Sequence, residues 1–414
     1  MAEGSKIATR MSGRQWTIVA LLVVSVIVNY VDRSNLSLAV PLIQKQFALS
    51  PLQIGSLLSA FFWTYAFMQI SGVAGWLSDR LPVGWVMVGG YLLWSSATVV
   101  TGLVSSFSAL YLARLLLGVG ESVAYPCYSR VFAELPQEHR GRANALIDAG
   151  TKLGPSIGAL VGGLLLVHFG WRVLFIVLGL GGLLWLLPWI KVMPRIERRV
   201  EESSAAALPS ILKLLKIKAA WGSFLGHFCG NYFFYFLLAW LPNYLAGEEN
   251  MSIGSMSRLT SALFFLIAAS TLLTGWITDR LIAAGGSPTR VRRTAVVGGL
   301  GVASSLLALV FVHRNLPLSI VVIAVACVGY GVFASNHWAI CQTLAGAAMA
   351  GRWSSVQNGI ANLSGIAAPW VAGLILQING NSRLAFVLTG GVALVGAFSW
   401  GLLVQRVEPV RWDA

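Results

Sequence analysis

The sequence predicts an all-α integral membrane protein, with twelve transmembrane helices in two pseudo-symmetric six-helix bundles. Three observations carry that expectation. The 414 residues are 57% hydrophobic and only 11% charged, whereas soluble domains carry about 25% charged residues. Apolar stretches of the roughly 20 residues needed to span a bilayer recur along the whole chain. Short motifs of the first half also return, in the same order, in the second.

Taken in order, the spans are expected near residues 16–40, 54–77, 84–105, 108–132, 144–167, 172–193, 219–245, 257–283, 293–313, 317–341, 354–378 and 384–405. The connections are short except for the polar stretch 194–218, a linker between an N-terminal bundle (1–193) and a C-terminal bundle (219–414). The segment before the first span, MAEGSKIATRMSGRQ, is polar and basic. That first span is long and lacks a small-residue cleavage site, so it reads as a membrane helix and not as a removable signal peptide.

The net charge of +14 would suggest nucleic acid in a soluble protein. Here the bases follow topology. With a cytoplasmic N-terminus, 21 Lys and Arg fall on the inside and five on the outside, and Arg33, Arg114 and Lys152 lie at membrane depth. The positive-inside rule therefore places both termini and the linker in the cytoplasm. Cys127, Cys229, Cys327 and Cys341 lie within or beside apolar segments without metal-ligand spacing, and read as small packing residues.

The repeats support the two halves. Gly75-Trp-Leu-Ser-Asp79-Arg80-Leu81 recurs as Gly275-Trp-Ile-Thr-Asp279-Arg280-Leu281, Gly141-Arg142 as Gly351-Arg352, and Trp171-Arg172-Val-Leu-Phe175 as Ser382-Arg383-Leu-Ala-Phe386.

Charges inside hydrocarbon cost at least about 2.5–3.5 kcal/mol each on insertion scales, and where a chain keeps them they mark ion or substrate paths. The first span holds Asn29-Tyr30-Val31-Asp32-Arg33. The fourth holds Arg114 and Glu121, seven apart and so on one helical face, with Gly118 between them. The fifth holds Asp148 and Lys152 at i,i+4. With both acids ionised, Asp32, Glu121, Arg33, Arg114 and Lys152 sum to +1, and with both protonated to +3. A positive cavity attracts an anion, and a carboxyl subject to both burial and neighbouring bases can exchange a proton near neutral pH. Arg33 or Arg114 can hold a carboxylate bidentately. The plainer reading closes Arg114–Glu121 and Asp32–Arg33 as structural pairs and lets Lys152 snorkel.

Polar residues of other spans complete the expected cavity: Tyr65 and Gln69 in the second, Tyr232 and Tyr235 in the seventh, Asn336 and Trp338 in the tenth, Asn358 and Asn362 in the eleventh. For any single aromatic, core packing competes with this reading. Gly154-Pro155-Ser-Ile-Gly158-Ala-Leu-Val-Gly162 in the fifth span favours close helix approach. No nucleophile–base pair, metal-ligand cluster or phosphate loop is visible, so no enzyme, metal or cofactor is expected.

These motifs resemble the major facilitator superfamily and, within it, the anion:cation symporter family of sugar-acid and organic-anion permeases, over essentially the whole chain. The shared loop motif is Gly75 to Arg80, without its usual downstream bases. More specific are Asn29-Tyr30-x-Asp32-Arg33, Gly118-x-Gly120-Glu121 with Pro126, Asn231-Tyr232 through Trp240-Leu-Pro242, and Asn336-x-Trp338. The resemblance implies proton-coupled uptake of an organic anion by alternating access. A sugar acid such as a hexonate, aldarate or hexuronate leads. Asp32 and Glu121 would couple protons, and Arg33 and Tyr65 would contact substrate. Asp79 and Arg80, with their counterparts Asp279 and Arg280, would gate the cytoplasmic side. The expected partners are the anion, protons and the lipid bilayer, with no nucleic acid, for a monomer. Animal members carry a long glycosylated loop after the first span. Here that loop is about a dozen residues, which points to a bacterial inner membrane. Gly150-x-x-x-Gly154-Pro155-x-x-Gly158 also resembles a motif of drug/proton antiporters, so proton-coupled export of organic solutes or drugs is the alternative.

Overall fold

The structure is a computed structural model that describes residues 11–194, 211–312, 315–410 and 412, with no strand among them. The membrane helices are α1 (Gly13–Phe47), α2 (Pro51–Ile70, bent by 59° into Val73–Arg80), α3 (Val83–Leu103), α4 (Phe107–Ala133) and α5 and α6 (137–169 and 171–192). The second set is α7 (Lys218–Glu248), α8 (Ile253–Ala283), α9 (Pro288–Val312), α10 (Leu316–Gly346), α11 (Met349–Asn379) and α12 (Arg383–Leu403).

By length and apolarity alone ten helices qualify, and the bent pair of α2 makes eleven. The twelfth comes from His139–Val192, whose 54 residues would reach roughly 80 Å as one helix, far beyond a bilayer. It is two helices broken at Gly170, where φ is 75° and ψ 175°. Only glycine adopts that backbone without strain. Arg172, just past the break, donates from Nη1 to the carbonyls of Gly102 (3.1 Å) and Val104 (2.7 Å), which satisfies the open end of α3. Most of the linker 194–218 lies outside the described residues, with a short helical turn at Ile211–Leu214 leading into α7.

Two boundaries lie seven residues from expectation, the start of α5 at Gln137 and the end of α1. α1 continues to Phe47, so the connection to α2 is only the three residues 48–50. Pro41 lies inside α1 without ending it. α2 starts where its cap dictates: Gln53 N donates to Ser50 Oγ, Gln53 Oε1 accepts from Ser50 N, and Pro51 takes the first helical position.

The packing repeats with an offset of six helices. In the first bundle α1 packs on α5, α2 on α4 and α3 on α6. In the second, α7 packs on α11, α8 on α10 and α9 on α12. Two symmetry-related seams, α2–α11 and α5–α8, join the bundles. Twelve spans place both ends of the chain on one side, and the seam contacts lie toward the opposite, distal side. Leu52 N donates to Gln377 Oε1 at 3.1 Å, and a Cβ at Gly55 would stand 2.7 Å from the Pro369 carbonyl. Across α5–α8, Ser156 Oγ donates to the Ser261 carbonyl (2.9 Å), and Ser261 Oγ to that of Ser156 (2.8 Å).

The symmetry fails at one instructive point. α2 bends at Gly72, whose φ of 75° is left-handed, whereas α8 runs straight through the position 200 residues on, which is Leu272. A left-handed leucine is strained, so the same loop motif ends a kinked helix in one half and a straight one in the other.

Candidate functional site

The site begins with how α1 is held. Gly150, Gly154, Gly158 and Gly162 recur every four residues on α5 and all face α1. A Cβ at Gly154 would lie 2.5 Å from Tyr30 Cβ, and one at Gly158 3.1 Å from Val31 Cα. At Gly162 it would run into the Asn35 amide. The two backbones therefore touch over about four turns, which packs α1 as small residues do in membranes. This contact accounts for the glycine motif shared with antiporters.

So placed, Asp32 and Arg33 meet α4. Arg33 Nε donates to Glu121 Oε2 at 2.7 Å. The ion pair thus joins α1 to α4. It is neither of the two pairs, Arg114–Glu121 and Asp32–Arg33, that sequence proximity suggested. The Arg33 guanidinium lies over three rings, with its carbon 4.7 Å from the centre of Tyr30, 4.6 Å from Phe61 and 4.8 Å from Tyr65. Such contacts favour a cation that has left water. Arg114 lies 5.7 Å from the centre of the same Phe61 ring, and its charge bears on both Asp32 and Glu121. Relative exposures are 2% for Asp32, 5% for Arg33, 4% for Arg114 and 0% for Glu121, so this is one desolvated cluster. Asp32 Oδ1 and Arg114 Nε have no hydrogen-bond partner among the described residues. Groups so buried are costly unless they have work to do.

Lys152 stands apart from this cluster. Its ammonium is 3.7 Å from Asp148 Oδ1 and 5.6 Å from the ring centre of Phe234, in the other bundle. Asp148 neutralises it, so the charge of the site is that of four groups, which sum to zero when both acids are ionised.

The remaining residues separate into two sets. Tyr235 and Asn362 meet, the tyrosine OH donating to Asn362 Oδ1 at 3.0 Å, and Phe62 of α2 packs on Tyr235 at 4.5 Å between ring centres. Tyr65 is buried and stacked on Phe61, Tyr232 is buried, and Asn358 and Trp338 are half-buried. Gln69 and Asn336 are held within their own bundles. Pro126 has no N–H to offer the carbonyl four residues back, that of Ser122. Gln69 Nε2 donates to that carbonyl at 2.8 Å, across the break of α4 at Val123. Asn336 Nδ2 donates to Thr278 Oγ1 (3.2 Å) and Ser335 Oγ (2.8 Å), tying α10 to α8.

Comparison with known proteins decides the family. The profile of the Major Facilitator Superfamily matches residues 22–369. This chain belongs to that superfamily. A D-galactonate transporter of Escherichia coli O6:H1 is 29% identical, covering 97% of this chain and 98% of its own. A probable galactarate/D-glucarate transporter of Bacillus subtilis is 27% identical, over 97% and 94%. Among solved structures, a bacterial homologue of the human lysosomal transporter Spinster superposes with a TM-score of 0.80 at 19% identity, over 96% of this chain and 99% of that one, which shows the shared fold.

The superfamily's loop motif lies at the end of the molecule that bears the termini. Asp79, Arg80, Asp279 and Arg280 are all exposed there, and Arg280 stacks on Trp276 at 3.9 Å. Neither aspartate makes an ion pair among the described residues. Two buried imidazoles of the second half were not among the candidates read from the sequence. His227 of α7 and His337 of α10 pack with ring centres 4.5 Å apart. The available signal was an imidazole in each of two otherwise apolar spans, one of them beside Asn336 and Trp338.

Proposed function

We propose that this major facilitator is a proton-coupled symporter that takes up an organic anion, foremost a sugar acid, across the bacterial inner membrane by alternating access. The observation that carries this reading is the buried Arg33–Glu121 pair within a cluster of zero net charge. An added substrate carboxylate would leave one uncompensated negative charge in a low-dielectric site, which is costly. One proton on Glu121 removes that charge and releases Arg33. Its guanidinium, already fixed among three rings, then offers its fork to the substrate. Glu121 and the substrate carboxylate compete for one guanidinium, so anion and proton load together. Asp32, beside Arg114 and without a hydrogen bond at Oδ1, supplies a second proton-accepting group.

The named substrates of the relatives, galactonate and galactarate/glucarate, agree with a carboxylate-binding cluster opposite amides and tyrosines. In this reading residues 1–193 and 219–414 are the moving bundles, joined by the linker 194–218. The termini are cytoplasmic, the monomer is the working unit, and the distal seams are the closed outer gate. Asp79, Arg80, Asp279 and Arg280 then close the cytoplasmic end in the opposite state.

The test is proton entry into liposomes that hold the purified protein and a pH-sensitive dye. Hexonates, aldarates, hexuronates and aromatic carboxylates are added one at a time. Acidification with one class, lost in Glu121→Gln and Asp32→Asn, supports symport. Proton exit on adding lipophilic cations, with no entry for any acid, would replace symport with antiport.

A further inference from the structure

The C-terminal bundle holds a polar chain whose hydrogens can be placed from what each partner is able to do. Trp353 Nε1 can only donate, and it reaches Ser223 Oγ at 3.0 Å and Gln357 Oε1 at 3.2 Å. That contact settles the orientation of the Gln357 amide, so its Nε2 is the atom 3.3 Å from His227 Nδ1. An amide nitrogen only donates, so His227 Nδ1 accepts, and the neutral ring carries its hydrogen on Nε2. His337 is set the opposite way. Its Nδ1 lies 3.0 Å from the Ala334 carbonyl, which only accepts, so Nδ1 holds the hydrogen and Nε2 is left as an acceptor. That Nε2 is buried and has no hydrogen-bond partner among the described residues.

The structure therefore sets two imidazoles side by side, one with its hydrogen fixed on Nε2 and the Asn231 side chain as a neighbour, and the other with a fixed, unpartnered nitrogen acceptor. Their relative exposures are 3% and 4%, and Phe333 stacks on His337 at 5.1 Å. The half-buried Trp338 meets His227 edge-on at 5.0 Å. Phe234, two turns along α7 on the same face as His227, lies 5.6 Å from the Lys152 ammonium of α5, so that face looks across the inter-bundle interface. Counted from the distal helix ends, Arg33 and Glu121 are each 14 residues in, whereas His227 and His337 are each 21 in. Seven residues correspond to about 10 Å along the bundle axis.

We propose that His227 and His337 form the subsite that recognises hydroxyl groups of the transported anion, in the bundle opposite the one that holds its carboxylate. This rests on the carboxylate-binding reading above and extends it to the other end of the substrate. A hydroxyl donates and accepts at once, which matches this pair. A carboxylate only accepts and is repelled by the free nitrogen of His337, and an alkyl chain satisfies neither ring. A site built for hydroxyls discriminates strongly against analogues that lack them, because its own polar atoms are then left unpaired.

The test is calorimetric binding of D-galactonate, galactarate, D-glucuronate and hexanoate to the purified full-length protein. Wild type, His337→Leu, His227→Leu and His337→Gln are compared, with Arg33→Gln as the carboxylate control and thermal denaturation confirming that each variant is folded. Wild type is expected to prefer at least one hydroxylated acid to hexanoate. Either leucine variant should shrink that preference about tenfold or more, equivalent to about 1.4 kcal/mol, while hexanoate affinity holds. His337→Gln, which can turn an acceptor oxygen to the same place, should restore much of it. Equal weakening of hydroxylated and plain acids, or no change in a folded variant, overturns the histidine subsite alone. Arg33-independent binding overturns the carboxylate site, and no binding of any hydroxylated acid to wild type overturns both.

Discussion

Removing the Glu121 carboxylate strands a guanidinium that is almost wholly withdrawn from solvent. Arg33 Nε has Glu121 Oε2 at 2.7 Å as its hydrogen-bond partner, and Arg33 and Glu121 are 5% and 0% exposed. Breaking one side of a buried pair costs about 3–5 kcal/mol, because the remaining charge is left uncompensated. The three rings around Arg33 are present before and after the change, so they do not offset that loss. Glu121→Ala is therefore expected to lose about 3–5 kcal/mol. Glu121→Gln keeps an acceptor oxygen and should lose about 1–3 kcal/mol. Replacing both partners with apolar residues of similar volume, Arg33→Met with Glu121→Leu, should return the stability to near wild type. Thermal unfolding in detergent with a thiol-reactive dye measures this directly, since Cys127, Cys229, Cys327 and Cys341 are all buried and react only on unfolding. The expected order of melting temperature is wild type and double variant, then Glu121→Gln, then Glu121→Ala, with no transport by the double variant. A double variant less stable than Glu121→Ala would refute the desolvation reasoning. One that still transported would make the pair structural only.

Three further outcomes follow from other contacts. Gly154→Leu forces a side chain against Tyr30, and overpacking of this kind costs about 1–3 kcal/mol; a lower melting temperature and lost uptake are expected, and full activity would mean that α1 and α5 can separate freely. Gln69→Leu leaves the Ser122 carbonyl without its donor, for about 1–3 kcal/mol; the melting temperature should fall while the affinity for substrate holds, whereas a loss of affinity alone would place Gln69 in the binding site. Ser156→Cys with Ser261→Cys replaces two hydroxyl oxygens that are 3.2 Å apart across the α5–α8 seam; oxidation should lock the distal side shut and abolish transport until a reductant is added, and undiminished transport by the oxidised protein would show that this seam does not open.

Much of this molecule is written locally. Span lengths, the Lys and Arg bias, and the recurring Gly-Trp-x-x-Asp-Arg motif depend only on neighbours in the chain, and they led to twelve helices in two related bundles. The residues that would carry charge were legible for the same reason: Asp32, Arg33, Arg114 and Glu121 stand out because hydrocarbon tolerates so few such side chains. Even the unequal bends of α2 and α8 are local, set by Gly72 against Leu272.

What only the tertiary structure decided is who meets whom. Spacing along α4 suggested Arg114 with Glu121. The partner is instead Arg33, 88 residues away, because four glycines of α5 draw α1 into place. Gln69 looked like a cavity amide until Pro126 freed a carbonyl on the neighbouring helix. The two histidines are unremarkable 110 residues apart in the chain, and only packing sets their rings 4.5 Å from each other with opposite hydrogens. Hydropathy and periodicity report which face of a helix leaves water or lipid. The pairing of buried charges depends on contacts between distant segments, and those contacts are fixed by shape at the helix interfaces.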